Sequence, residues 1–201
     1  MRIRAFGLNH SEIFTRQGLS PSVTFPRILG IDCTGEIAET TDPERLPRGQ
    51  KVVSLMGEMG RAFDGSYADY ALVPNGQIYP AASDLPWEKP VTIPETGYTA
   101  YGSIQNLKVE DADHVLVRGA TSSVGIAAAR LPVAAYPALD LAGTTRNLAK
   151  DELLRRGGCR RIIEDRDGVL QTDGHLDKVL KLIGPATLHD TFAHISEGGI
   201  C

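Results

Sequence analysis

Hydrophobic and polar positions divide this chain into two textures. Through the first hundred residues the apolar positions come in short runs. MRIRAFGLN (1–9) alternates weakly, and ILGIDCTGEIAE (28–39) and KVVSLM (51–56) are rich in β-branched residues. DGSYADYALVP (64–74) alternates behind an Asp-Gly turn. These patterns predict four short strands. Most of the prolines fall in the same region, as irregular loops between strands require. An α-helical stretch over Gly97–Asn106 leads out of it.

From Asp113 the pattern becomes strand–helix alternation. HVLVRG (114–119) reads as a buried strand and SSVGIAAARL (122–131) as a helix of small residues. LDLAGTTR (139–146) is a second strand, and NLAKDELLRRG (147–157) a helix with an Asn start and a Gly stop. CRRIIED (159–165) and LDKVLKLIG (176–184) are the third and fourth strands, and PATLHDTFAHISEGG (185–199) is a helix with Pro in its first turn. Strands separated by helices imply parallel pairing through right-handed crossovers, the α/β class. Pro132 removes a helical hydrogen bond, which predicts a helix end near Leu131. The chain stops at Gly-Gly-Ile-Cys, where a fifth strand is expected to begin, and Met1 opens directly into a strand. The expectation is a half-sheet with an open edge, cut at both ends.

Composition narrows the partners. The 201 residues are 42% hydrophobic and 23% charged, with a formal net charge of −4. No basic face is implied, which argues against a nucleic-acid or acidic-membrane partner. The longest apolar stretch, from Gly125 to Gly143, is broken by Arg130, Pro132, Pro137 and Asp140, too often to span a bilayer. No basic, apolar leader opens the chain. Cys33, Cys159 and Cys201 are scattered and odd in number, which fits a reducing, cytoplasmic setting.

One segment carries candidate chemistry. In VRGATSSVGIAAA (117–129) a strand, a glycine turn and a helix follow one another. Gly119 lets the chain turn sharply and Gly125 lets the helix pack closely. Backbone N–H groups of Thr121, Ser122, Ser123 and Val124 then lie at a helix N-terminus, where a pyrophosphate is favoured. Ser123 stands where the middle glycine of such a motif is usual. By itself the pattern fits a tight turn of small residues as well as a dinucleotide cradle. About twenty residues on, the second strand ends in Thr144, Thr145 and Arg146, with Lys150 one turn later. Two hydroxyls and two cations are phosphate chemistry, where an acid would select NAD. This favours NADP(H), unless Arg146 and Lys150 only decorate an exposed helix start.

GLNHSEIFTRQG, FPRILGIDCTGEI, FDGSYADY, TGYTAYGSI, RGATSSVG and DKVLKLIGPATL, in this order, resemble the medium-chain dehydrogenase/reductases, and among them the zinc-independent quinone oxidoreductases. The resemblance implies a partial GroES-like β domain over 1–96 and an incomplete Rossmann domain, a doubly wound parallel sheet, over 97–201, with the active site in the cleft between them. Zinc members hold their catalytic metal with Cys, His and Cys. The matching residues here are Asn9, Ile31 and Glu95, and no four-cysteine structural lobe is present. That set is unsuited to zinc. By resemblance, Asn9 donates its amide to a substrate oxygen and Thr99 touches the nicotinamide carboxamide. The family's enoyl-thioester members carry a Tyr soon after the first Gln-Gly; here Leu19-Ser20 follows Gln17-Gly18.

The resulting expectation is an NADPH-dependent reductase of a small carbonyl or quinone substrate, dimeric only if the missing strands are supplied. The alternative is a truncated, catalytically silent relative that at most binds nucleotide. The arginines 155, 156, 160 and 161 are expected to be cancelled by Glu164, Asp165 and Asp167 on a solvated face, and Cys33 to be buried.

Overall fold

The computed structural model describes all residues from Met1 to Cys201, which form two compact units, Met1–Glu95 and Thr96–Cys201. In the first, strands β1 (Arg2–Phe6), β2 (Asp32–Glu36), β3 (Lys51–Leu55) and β4 (Ile78–Pro80) form an antiparallel sheet in sequential order. Helix α1 (His10–Arg16) lies between β1 and β2 in sequence. Cys33, Leu46, Val52 and Met59 are completely sealed in its core. The expected strand over 64–74 is absent. Its backbone bonds β1 through the Ile3 N–H to Asp69 and the Ala71 N–H to Met1, but only Tyr70 makes a ladder bridge. Alternation supplied a buried face there without continuous pairing.

Helix α2 (Pro94–Leu107) opens three residues earlier than its apolar pattern suggested, with Pro94 in the first turn. The second unit then runs β5 (His114–Arg118), α3 (Ser123–Ala135), β6 (Asp140–Thr145), α4 (Asp151–Arg156), β7 (Arg161–Arg166), β8 (Val169–Leu170), β9 (Leu176–Lys181), α5 (Leu188–Ala193) and β10 (Ile195–Ile200). Sheet order is β10-β9-β5-β6-β7-β8. All neighbours pair parallel except the β7–β8 hairpin. That hairpin turns on Asp167 and Gly168, both at positive φ (51° and 84°), as a tight Asp-Gly turn requires.

Three expectations are corrected here. The last helix ends at Ala193, and residues 195–200 form the fifth parallel strand, β10, paired to β9 with an irregular register. Two glycines, 198 and 199, disfavour helix there and allow the bulge. Helix α3 passes through Pro132 to Ala135; the proline ring is buried, and the Tyr136 N–H bonds the Pro132 carbonyl at 2.7 Å. So near the helix end, burial of the ring offsets the one lost bond. The helix expected over 147–157 is split into a 3₁₀ turn, Leu148–Lys150, capped by Asn147, and the α-helix Asp151–Arg156.

Candidate nucleotide site and polar cluster

Sheet order reverses between β5 and β9, and the crevice at their carboxyl ends is where open α/β sheets take ligands. Gly119 leaves β5 at φ 93°, and a Cβ there would lie 2.9 Å from the Ile183 side chain beyond β9. Any larger residue closes this passage. A Cβ at Gly125 would meet the Gly119 carbonyl at 2.5 Å, so α3 packs directly on the turn. Ser122 caps α3 by accepting the Gly125 N–H at 3.0 Å. This turn stands at the positive end of a helix, with the Gly119 N–H held by the Thr144 hydroxyl and the Ser122 N–H by the Gly119 carbonyl.

A cavity of about 670 Å³ opens at this point. Gly119, Thr121 and Ser122 form one side and Thr144, Thr145 and Arg146 the next. Residues 164–168 at the end of β7 and residues 182–184 and 187 beyond β9 complete the wall. Ser123, Val124 and Gly125 lie in the first turn of α3, behind the lining residues, and Lys150 is exposed on the 3₁₀ turn. The threonines are more committed than their sequence suggests. The Thr144 hydroxyl accepts the Gly119 N–H at 2.9 Å, and that of Thr145 both donates to the Asn147 carbonyl and accepts its N–H. Arg146 is exposed and outside every ion pair. Arg166, also on the wall, is held by Glu164 at 2.6 Å.

Two groups escaped the sequence reading. Asp165 is no solvated counter-charge: it is buried and bonded to Arg118, itself wholly buried. The exposed arginines of this region instead pair elsewhere, Arg155 with Asp151, Arg156 with Glu152 and Arg161 with Asp140. Arg118 ends an apolar strand, HVLVR, and a lone charge at the end of such a run is the signal that could have revealed it.

In the first unit Asn9 precedes α1. Its side-chain Nδ2 donates to Asp32 Oδ1 at 2.9 Å, and its backbone N–H donates to Glu12 at 2.8 Å. The buried Glu12 carboxylate also accepts the Ile31 N–H at 2.9 Å and the Tyr67 hydroxyl at 2.5 Å. Burial raises the Asp32 carboxyl above its ordinary value, against hydrogen bonds from Asn9 and the Glu95 backbone. Burial, then the Glu12 carboxylate, pushes the Tyr67 hydroxyl well upward. Gly7 is required here, because a Cβ would lie 2.4 Å from the Asp32 carboxylate. Ile31 and Glu95 line a separate cavity of about 430 Å³ with Phe14, Met56 and Arg61. Thr99 is half-buried on α2, where its carbonyl accepts the Ser103 hydroxyl. Cys33 is sealed, and burial pushes its thiol up to about 12. No helix is long and apolar enough to cross a membrane.

The alcohol dehydrogenase GroES-like domain family matches residues 1–83. The Bacillus subtilis protein YhfP is 31% identical over 148 residues, 71% of this chain and 44% of its own length. The chain belongs to the medium-chain dehydrogenase/reductase superfamily, in its quinone oxidoreductase-like branch. Human quinone oxidoreductase, another relative, is 26% identical over 92% of this chain and 53% of its own length. This member of the superfamily thus spans about half the length of such curated relatives.

Among solved structures, the YhdH oxidoreductase of Salmonella enterica in complex with NADP superposes with a TM-score of 0.83 at 22% identity. It covers 99% of this chain and 63% of that one. YhfP with NAD bound superposes at 0.74 with 28% identity, over 88% and 56%. The fold is accordingly a GroES-like β unit followed by a Rossmann-like α/β unit.

Proposed function

We propose that this chain forms the catalytic core of a zinc-free oxidoreductase that uses NADPH to reduce a quinone or conjugated enone. The carrying observation is Arg146, the one arginine on the wall of the cradle cavity without a carboxylate partner. An unpaired guanidinium beside a glycine cradle suits a ribose 2′-phosphate. The residues present fit a dinucleotide: Gly119 leaves room that a Cβ would fill, and the cavity opens at the positive end of α3. The relatives carry both nicotinamide forms, NADP on the Salmonella protein and NAD on YhfP, so the preference rests on Arg146.

When bound, the reduced nicotinamide supplies the hydride. The chain's own part is binding and polarisation. Thr121 and Ser122 present the cradle, and Thr144 fixes its first amide. Asn9 has two amide hydrogens, and Asp32 takes one. The other is available for a substrate oxygen, with the amide plane set by the carboxylate. Zinc is disfavoured by the donors at the matching positions, an amide already given to Asp32, an alkyl chain at Ile31 and the Glu95 carboxylate.

Calorimetric titration of the 201-residue chain with NADPH and with NADH tests the reading. Micromolar NADPH binding, with NADH much weaker, supports it, and oxidation of NADPH on adding a quinone completes it. Equal affinities would overturn the role of Arg146. Binding without turnover against quinones and enones would leave a nucleotide-binding relative only.

A further inference from the structure

We infer that Arg118 is a positioning residue that sets the wall of the nucleotide cavity on which the base lies. The inference rests on the nucleotide reading above and extends it to a side chain that does not line the cavity.

Arg118 ends β5, and its side chain is 0% exposed. Nε donates to Asp165 Oδ2 at 2.8 Å. Nη1 reaches Asp190 Oδ2 at 2.8 Å, the Thr191 hydroxyl at 2.7 Å and the Thr187 carbonyl at 3.1 Å. Nη2 donates to the Gly168 carbonyl at 2.8 Å. Asp190 in turn accepts the Leu170 N–H of β8 at 3.2 Å. One planar fork therefore fixes the end of β7, the β7–β8 turn and the start of α5 in fixed directions.

Three of its partners, Asp165, Gly168 and Thr187, line the cavity from above. Gly168 belongs to the β7–β8 turn, which holds Asp167 and Gly168 in the left-handed region. Strand order then decides which part of a ligand meets this wall. The cradle stands at the end of β5, Arg146 follows β6, and the wall stands at the end of β7, in consecutive places along the sheet. A dinucleotide with its pyrophosphate on the cradle and its ribose phosphate at Arg146 sets its adenine against residues 164–168. A buried ion pair is a poor source of net stability but a strong constraint on geometry. Arg118 would thus act on the adenine half through the wall.

The test compares the wild type with Arg118→Lys, which keeps the charge and loses the fork, and with Thr191→Val, which removes one acceptor and preserves shape. Each is titrated with 2′,5′-ADP, and amide hydrogen exchange is followed by mass spectrometry. Both folded variants are expected to bind 2′,5′-ADP roughly tenfold more weakly or worse. Exchange should rise in 164–170 and 187–191 and stay unchanged in 119–125. Should Arg118→Lys fail to fold, Thr191→Val decides. A folded variant with lower melting temperature but affinity within about twofold of wild type would make Arg118 a purely structural residue and overturn the inference. A wild type that binds no 2′,5′-ADP would overturn the nucleotide reading itself, and this inference with it.

Discussion

The Thr144 hydroxyl accepts the Gly119 N–H at 2.9 Å, so the end of β6 braces the turn that leaves β5. The sequence places Thr144 among the groups that meet a ribose phosphate; the fold gives its oxygen to the cradle. Cradle shape and phosphate selectivity are therefore carried by neighbouring residues with different duties.

Thr144→Val should lower affinity for NADPH and NADH by the same factor, because the cradle serves both. It should also destabilise the chain by about 1–3 kcal/mol, since the Gly119 N–H loses its acceptor. Urea unfolding and calorimetry on the same preparation check both parts. A loss confined to NADPH would show that the hydroxyl contacts the 2′-phosphate instead.

Arg146→Ala should weaken NADPH roughly tenfold or more and leave NADH unchanged, since only the former offers a 2′-phosphate to the guanidinium. Lys150→Ala should have the smaller effect, as Lys150 is not on the cavity wall. Competition titrations at one ionic strength give the ranking, and its reversal would move the phosphate site toward the 3₁₀ turn.

Asp32 gives a pH dependence with a definite sign. Its folded carboxyl sits above the ordinary 3.8, chiefly through burial, so the unfolded chain releases this proton first as pH rises. The folded state then binds more protons than the unfolded, and stability falls through the window that opens near that ordinary value and closes above the raised one. Asp32→Asn removes the titration. Relative to that variant, the wild type should lose stability as pH rises from near 3.8 through the raised value of the folded carboxyl. Parallel curves in urea melts across that range would contradict the assignment.

Thiol reactivity should be one-sided. Burial raises all three thiols, Cys33 up to about 12 and Cys159 up to about 11, but only Cys201 is exposed. Native protein at neutral pH should react quickly at Cys201 alone, and all three should react in denaturant. Peptide mapping after a short alkylation distinguishes the sites; early labelling of Cys159 would mean that its packing against Gly143 opens readily.

Sequence alone determined the strand–helix alternation after Asp113, the turn at Gly119 to Gly125 and the family. These are local matters: periodicity of apolar residues, glycine where only glycine fits, and motifs in order. Tertiary structure decided the rest. That residues 195–200 pair with β9 depends on a neighbour that local pattern does not name, and the burial of Pro132 offsets a breaker that local rules count in full. The fates of the polar groups were also settled at long range. Arg118 finds Asp165 and Asp190 at sequence separations of 47 and 72, and Asn9 finds Asp32 at 23. A charge or amide reads as a ligand group until the fold supplies its partner, because a buried polar group is held by whatever the topology brings within hydrogen-bond reach.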